Sequence, residues 1–218
     1  TVAEPAPVVC AFLAHHLRLG AAHAYLFLDR GDAPDLAHLL AGVDRCTVTL
    51  CDAAYWRRAG GRPILVTERQ KINAQAIYDA CPYPWLLHAD ADEYLSPHTD
   101  LAGALANAPG DSEVVRLPVA ERVRQAGAAD RHIFEGAFRL PLDARRGVAP
   151  ADVFGRDARY LNQGVKAYAH FKSLARTGRD LRMGIHTPLA LDEGQRKRAL
   201  TLPRPALFHY EGLTPKSW

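Results

Sequence analysis

Apolar positions along the first 120 residues follow two alternating periods. Val9, Phe12, Leu13, His16 and Leu17 share one face at helical spacing, with Gly20 as a stop, so residues 7–19 predict a helix. "AHAYLFLD" reads as a short apolar strand ending at Asp29. Leu36, Leu39, Leu40 and Val43 repeat at i, i+3, i+4 and i+7 behind Pro34, which predicts a second helix. "CTVTLC", rich in β-branched residues, predicts a second strand, and "DAAYWRRAGGRP" reads as a loop. A helix is expected from near Thr67. There "TERQ" has the capping-box pattern, in which Thr67 and Gln70 satisfy each other's orphan amides. Cys81-Pro82 ends that helix. "WLLHA" is a buried strand, residues 100–108 a helix closed by Pro109-Gly110, and "EVVRLPV" another strand.

Strands that alternate with helices imply an α/β fold with a mainly parallel, Rossmann-type sheet flanked by helices. After residue 120 the periods loosen. The Gly- and Arg-rich stretch there is expected to form long loops and short strands over one edge of the sheet, with no second core.

Composition narrows the function classes. A chain of 218 residues with 48% apolar and 23% charged residues suits one globular domain. A net charge of +3, with no interleaving of basic and aromatic residues, argues against a nucleic-acid partner. Basic runs late in the chain suit an anionic ligand such as a diphosphate, or else a solvated surface. Cys10, Cys46, Cys51 and Cys81 form no CxxC pair, so reduced thiols and a cytoplasmic location are expected. No run is long enough to cross a bilayer and no leader is visible; membrane association of a fuller chain stays open. An opening on Thr1 rather than Met is expected of a trimmed chain or of a piece of a longer one.

The chemistry concentrates in "PWLLHADADEYLSP", where an apolar strand runs into Asp90, Asp92 and Glu93. In open α/β sheets, ligands bind beyond the carboxyl ends of the strands. Carboxylates at a core edge are costly to desolvate, and a hard divalent cation relieves that cost. Oxygen donors suit Mg²⁺ or Mn²⁺. Asp90 and Asp92 point the same way if the extended geometry persists. The competing reading is a helix cap or a surface turn.

"WLLHADADEYLSP" resembles the metal-binding strand-turn of glycosyltransferases with the GT-A fold, closest to bacterial family 2-like enzymes. "FLAHHLRLGAAHAYLFLD", "ERQKINAQAIY" and "LPVAERV" extend the resemblance over about residues 8–125. "LFHYEGLTPKSW" is similar to a closing His-x-x-Gly…Lys-x-Trp segment, here His209, Gly212, Lys216 and Trp218. The opening departs from the family: "TVAEP" keeps only Glu4 where an "NE" or "DE" pair follows the first strand.

This resemblance implies a metal-dependent glycosyltransferase with Mn²⁺ or Mg²⁺ as cofactor. It would carry a sugar from a nucleotide-sugar donor, a UDP-sugar first, to a glycan or other hydroxyl acceptor with inversion. Residues 1–218 would form a single domain, with 1–120 as the nucleotide-binding half and 121–218 as the acceptor-side half. Asp90, Asp92 and His209 would hold the metal, with His186 as rival to His209. Asp29, Asp32, Gln70, Asn73, Asp90 and Lys216 would meet the nucleotide-sugar, and Lys172 or Arg176 could add charge at the diphosphate. Glu121, ending a strand beside the acidic turn, is the first candidate for general base and Glu93 the second; Glu121 is equally readable as a surface ion pair with Arg122 or Arg124. His16 reads as a core histidine and His88 as packing beneath the site. Tyr55 and Trp56 read as sugar-stacking rings or loop anchors. The alternatives are a non-catalytic GT-A-like module that binds carbohydrate or a partner, and a nucleotidyltransferase.

Overall fold

The computed structural model describes residues 1–29, 34–123, 134–143, 147–167, 169–191, 198–203 and 205–210. Asp32, Gly212, Lys216 and Trp218 lie outside the described residues.

Helix α1 (Ala6–Arg18) buries Val9, Leu13 and His16 and ends at Gly20, whose φ of +96° suits a residue without a Cβ. Strand β1 (Ala24–Leu28), helix α2 (Pro34–Leu40) and strand β2 (Cys46–Leu50) follow as the pattern predicts, with β1 and β2 parallel. The stretch read as a loop holds helix α3 (Ala53–Arg58), because the Asp52 carboxylate accepts the Tyr55 N–H at 2.7 Å as an N-cap. Helix α4 (Val66–Ala80) starts one residue before Thr67, with Leu65 at its N-cap and no side-chain cap. The expected capping box therefore does not form, and Gln70 reaches Asp90 instead.

Then come β3 (Trp85–Leu87), β4 (Glu93–Leu95), α5 (Leu101–Ala106), the long β5 (Val114–Val123), β6 (Ala137–Arg139), α6 (Pro150–Phe154), β7 (Phe171–Arg176), β8 (Leu181–Arg182), β9 (Leu189–Ala190), β10 (Ala199–Thr201) and β11 (Leu207–His209). The main sheet runs β3-β7-β5-β11-β4, and β6 and β10 also pair with β5. It is mixed: β7 is antiparallel to β3 and β5, and β4 to β11, while β10 and β11 run parallel to β5. The expectation of a mainly parallel sheet is thus corrected, as is that of late strands over one edge. Strands β7 and β11, from beyond residue 120, lie inside the sheet and are largely buried.

Strand β5 organises this sheet. One edge pairs with β7 and then β6, the other with β10 and then β11. Pro118 cannot donate to a ladder, and it falls where β10 gives way to β11; its carbonyl still accepts from Ala206 at 2.9 Å. Val115, Leu117, Leu174 and Leu207 fill the core around this strand. A second core, with Val9, Leu13, Leu26, Leu28 and Tyr94, joins α1 to β1 and β4. Among the described residues, no helix is long and apolar enough to cross a membrane.

Candidate functional site

Strands β3, β5 and β11 run in the same direction, so their carboxyl ends meet at one end of the sheet together with the starts of β4 and β7. Asp90, Glu93, Glu121, Lys172 and His209 all belong to that end. Two three-membered charge arrays result. In the first, the Lys172 ammonium lies 3.0 Å from Asp90 Oδ2 and 2.7 Å from Glu93 Oε2. In the second, His209 Nε2 lies 3.6 Å from Asp92 Oδ2, and its Nδ1 lies 3.8 Å from Glu121 Oε2. Each array stacks an accessible acid on a buried cation on a buried acid. The side chains of Asp90 and Asp92 are 29% and 28% exposed, whereas those of Glu93 and Glu121 are buried.

Register explains the second array. His209 is directly opposite Glu93 on β4 and Glu121 on β5, and Glu121 is opposite Arg139 on β6. Residues opposite each other share a face, so Arg139, Glu121, His209 and Glu93 form a row of alternating charge. Burial works against the charged form of His209, but Asp92 and Glu121 outweigh it and raise its pKa to about 10. Burial also opposes ionisation of Glu121. His209 and the N–H groups of Lys166 and Ala167, at 2.5 and 2.7 Å, overcome this and hold its carboxyl below the usual range. In Asp90, too, burial is outweighed by Lys172, and the net shift is downward. Desolvation of the Lys172 ammonium is outweighed by Glu93 and Asp90, and its pKa rises.

Several expectations need correction on this geometry. Extended backbone ends before Asp90: Ala91 and Asp92 form a turn closed by Glu93 N–H on Asp90 C=O at 3.1 Å. Asp90 therefore faces Lys172 and Gln70, and Asp92 faces His209; the two are not one chelating pair. Glu93 accepts from both Lys172 and the Asp90 N–H, at 2.7 and 2.8 Å, and is buried, so it is a structural anion rather than a base. Glu121 is neither a surface ion pair nor free to take a proton, because β11 lies between β5 and the acidic turn and two backbone amides engage its carboxylate. Lys172 is fully buried and cannot meet a diphosphate. Arg176 packs over Trp85 at 4.3 Å and donates to Ser112 C=O. The desolvation argument for a metal loses force here, since the protein's own cations already compensate the buried acids.

Helix α4, which carries "ERQKINAQAIY", has a definite task. Arg69 Nε donates to Asp29 at 2.6 Å, beside Arg62 at 3.2 Å, so that Asp29 is buried and engaged rather than offered to a nucleotide. Gln70 Nε2 donates to Asp90 Oδ1 at 2.6 Å. Asn73 is buried; its Oδ1 accepts from Tyr55 Oη at 2.5 Å and its Nδ2 donates to Thr1 Oγ1 at 2.8 Å, so it holds packing and not ligand. Trp56, on α3, is buried against Phe27 and Cys51, which makes it a packing anchor for that helix and not a sugar platform.

The adjacent histidines of α1 have a role that pattern alone did not reveal. β4 is an edge strand of the main path, and Leu95 turns its peptide groups away from β11. His16 Nδ1 donates to Phe12 C=O at 2.7 Å, leaving Nε2 to accept the Leu95 N–H at 3.4 Å. His15 Nε2 donates to Leu95 C=O at 2.7 Å. One acceptor and one donor thus close the edge just past the acidic turn. His88 packs beneath, with Nδ1 on Gly184 C=O at 3.0 Å. The pairing with Asp92 belongs to His209; His186 is half-buried in the loop between β8 and β9.

Among the described residues, no three His, Cys, Asp or Glu side chains come together as a set able to hold a metal ion. The four cysteines are unpaired, as expected. No protein-family model, curated protein or solved structure matches the chain.

Proposed function

We propose that the chain is a glycosyltransferase that moves a sugar from a nucleotide-sugar to a hydroxyl acceptor through a site at the carboxyl ends of β3, β5 and β11. The observation that carries this reading is the pairing of two accessible carboxylates, Asp90 and Asp92, each backed by a buried cation and a buried acid. The GT-A likeness rests on the motif residues, since the sheet is more mixed than that fold was expected to give.

Each carboxylate is met by a protein cation on its buried side only, and its outer face would still repel a diphosphate, so a further cation would stand between them. Asp92 and His209 would form one end of such a site once the ion displaces the proton from His209 Nε2. Their donor atoms are 3.6 Å apart, and adjacent donors on a small divalent ion with bonds of about 2.1 Å stand roughly 3 Å apart. Mg²⁺ or Mn²⁺ commonly keeps waters and phosphate oxygens for its other positions, so two protein donors suffice. When bound, the ion would stabilise charge on the departing diphosphate. The chain's own residues do the positioning. Glu121, fixed by two amides, orients the His209 ring. Lys172 and Gln70 fix Asp90, whose remaining lone pairs suit ribose hydroxyls.

A panel of sugar nucleotides screened for Mn²⁺-dependent hydrolysis and transfer tests the reading. Turnover is expected with at least one donor, and Asp92→Asn should abolish it with the fold unchanged. Metal-dependent nucleotide binding without turnover of any donor would instead favour a binding module.

A further inference from the structure

Strands β1 and β3 both turn a backbone edge toward one cavity of about 670 Å³, and Val2 takes only the far end of the β1 edge. On β1, the ladder to β2 uses Ala24 N–H and Leu28 C=O, so Tyr25 and Phe27 direct their peptide groups the other way. On β3, Pro84 C=O accepts from Thr177 across the ladder to β7, so Trp85 and Leu87 direct theirs away from β7. The cavity wall includes Ala24 to Phe27 of β1 and all of β3, with apolar side chains such as Phe12, Ala74, Ile77, Leu101 and Leu105. Peptide groups facing an apolar interior need partners, and a neighbouring strand supplies them in series.

One residue of such a strand is already in place. Val2 pairs in parallel with Leu28: its N–H donates to Phe27 C=O at 2.8 Å and its C=O accepts Asp29 N–H at 3.0 Å. Thr1 and Val2 line the mouth of the same cavity. His88, another wall residue, donates from Nδ1 to Gly184, which leaves Nε2 as an acceptor, buried and without a partner.

We propose that this cavity is the slot for a β-strand covalently continuous with Thr1. It runs parallel to β1 and joins the β1–β2 pair to the seven-stranded sheet. The register follows from Val2. The residue immediately before Thr1 would donate to Tyr25 C=O and accept from Phe27 N–H, and alternate residues would face Trp85 and Leu87. Both faces of this strand are covered, so it is an unbroken apolar run of about five residues, the length of an ordinary strand. The inference is independent of the proposed activity.

Amide hydrogen exchange tests it on the chain carrying five added N-terminal residues, either Val/Ile-rich or Gly/Ser. The apolar extension should slow exchange at Tyr25, Phe27, Trp85 and Leu87 at least tenfold relative to the Gly/Ser extension, and raise Tm. Proline placed immediately before Thr1 should reverse much of that gain. If the unextended chain does not fold and only the apolar extension restores folding, the same conclusion follows. Equal behaviour of the two extensions would overturn the slot. Protection by a detached peptide but not by the tethered one would overturn its continuity with Thr1.

Discussion

Lys172 Nζ lies 2.7 Å from Glu93 Oε2, and both side chains are buried. This ion pair joins a strand from the late part of the chain to the start of the strand after the acidic turn. Removing one partner leaves the other charge buried without compensation, which costs about 3–5 kcal/mol. Lys172→Met should lower unfolding stability by that order in urea titrations. Lys172→Met combined with Glu93→Gln should recover a large part of it. Equal losses in the single and double variants would mean that the pair is not coupled.

Asp90 and Asp92 should separate in their response to metal. Asp92→Asn and His209→Gln each remove a donor from the proposed two-donor site and should weaken Mn²⁺ binding at least tenfold by calorimetry. Asp90 is engaged by Lys172 and Gln70, so Asp90→Asn should weaken Mn²⁺ binding much less and nucleotide binding more. Equal metal loss in both Asp variants would place Asp90 among the ligands.

Stability should fall with acid through His16. Burial holds its pKa at about 4, against an ordinary value of 6.5, and Nε2 can accept the Leu95 N–H only in the neutral ring. Above pH 6.5 the neutral ring is present in both folded and unfolded chains, and nothing is lost. Between 6.5 and 4 only the unfolded chain takes up the proton, so the folded state loses ground, by roughly 3 kcal/mol once below 4. Denaturant titrations at pH 7.5, 5.5 and 4 should show this decline, and His16→Gln should flatten it. His88 is depressed similarly by burial and adds to the wild-type slope.

Leu207→Ala tests the placement of β11. Leu207 is fully buried against β4 and β5, two residues before His209. The substitution should cost about 2–5 kcal/mol, as for a buried leucine whose cavity does not collapse. Looser seating of β11 should also weaken any Mn²⁺ binding that depends on His209, which calorimetry on the folded variant would detect.

Much of the first half was legible because its signals are local. Apolar spacing located α1, β1, α2 and β2, and Cys81-Pro82 ended α4 as read. Where a local rule met a stronger tertiary partner, the rule lost. Gln70 had a capping role available within its own turn, yet its amide bonds to an Asp90 carboxylate held beside Lys172. Helix α3 was missed because Gly and Arg in its neighbourhood masked a six-residue element carried by its Asp52 cap and by burial of Trp56.

The sequence alone determined that acids follow an apolar strand, that an α/β pattern precedes them, and that His209 is a residue to watch. Only the tertiary structure decided which acids are accessible, which are buried, and what neutralises each. Those answers depend on β7 entering between β3 and β5, and on β11 entering between β5 and β4. Strand insertion is set by the burial of Leu174 and Leu207 against strands far away in sequence, and no local period records it. Charge pairing across strands follows from that register, which is why Lys172 and His209 acquire their acids only in the folded chain.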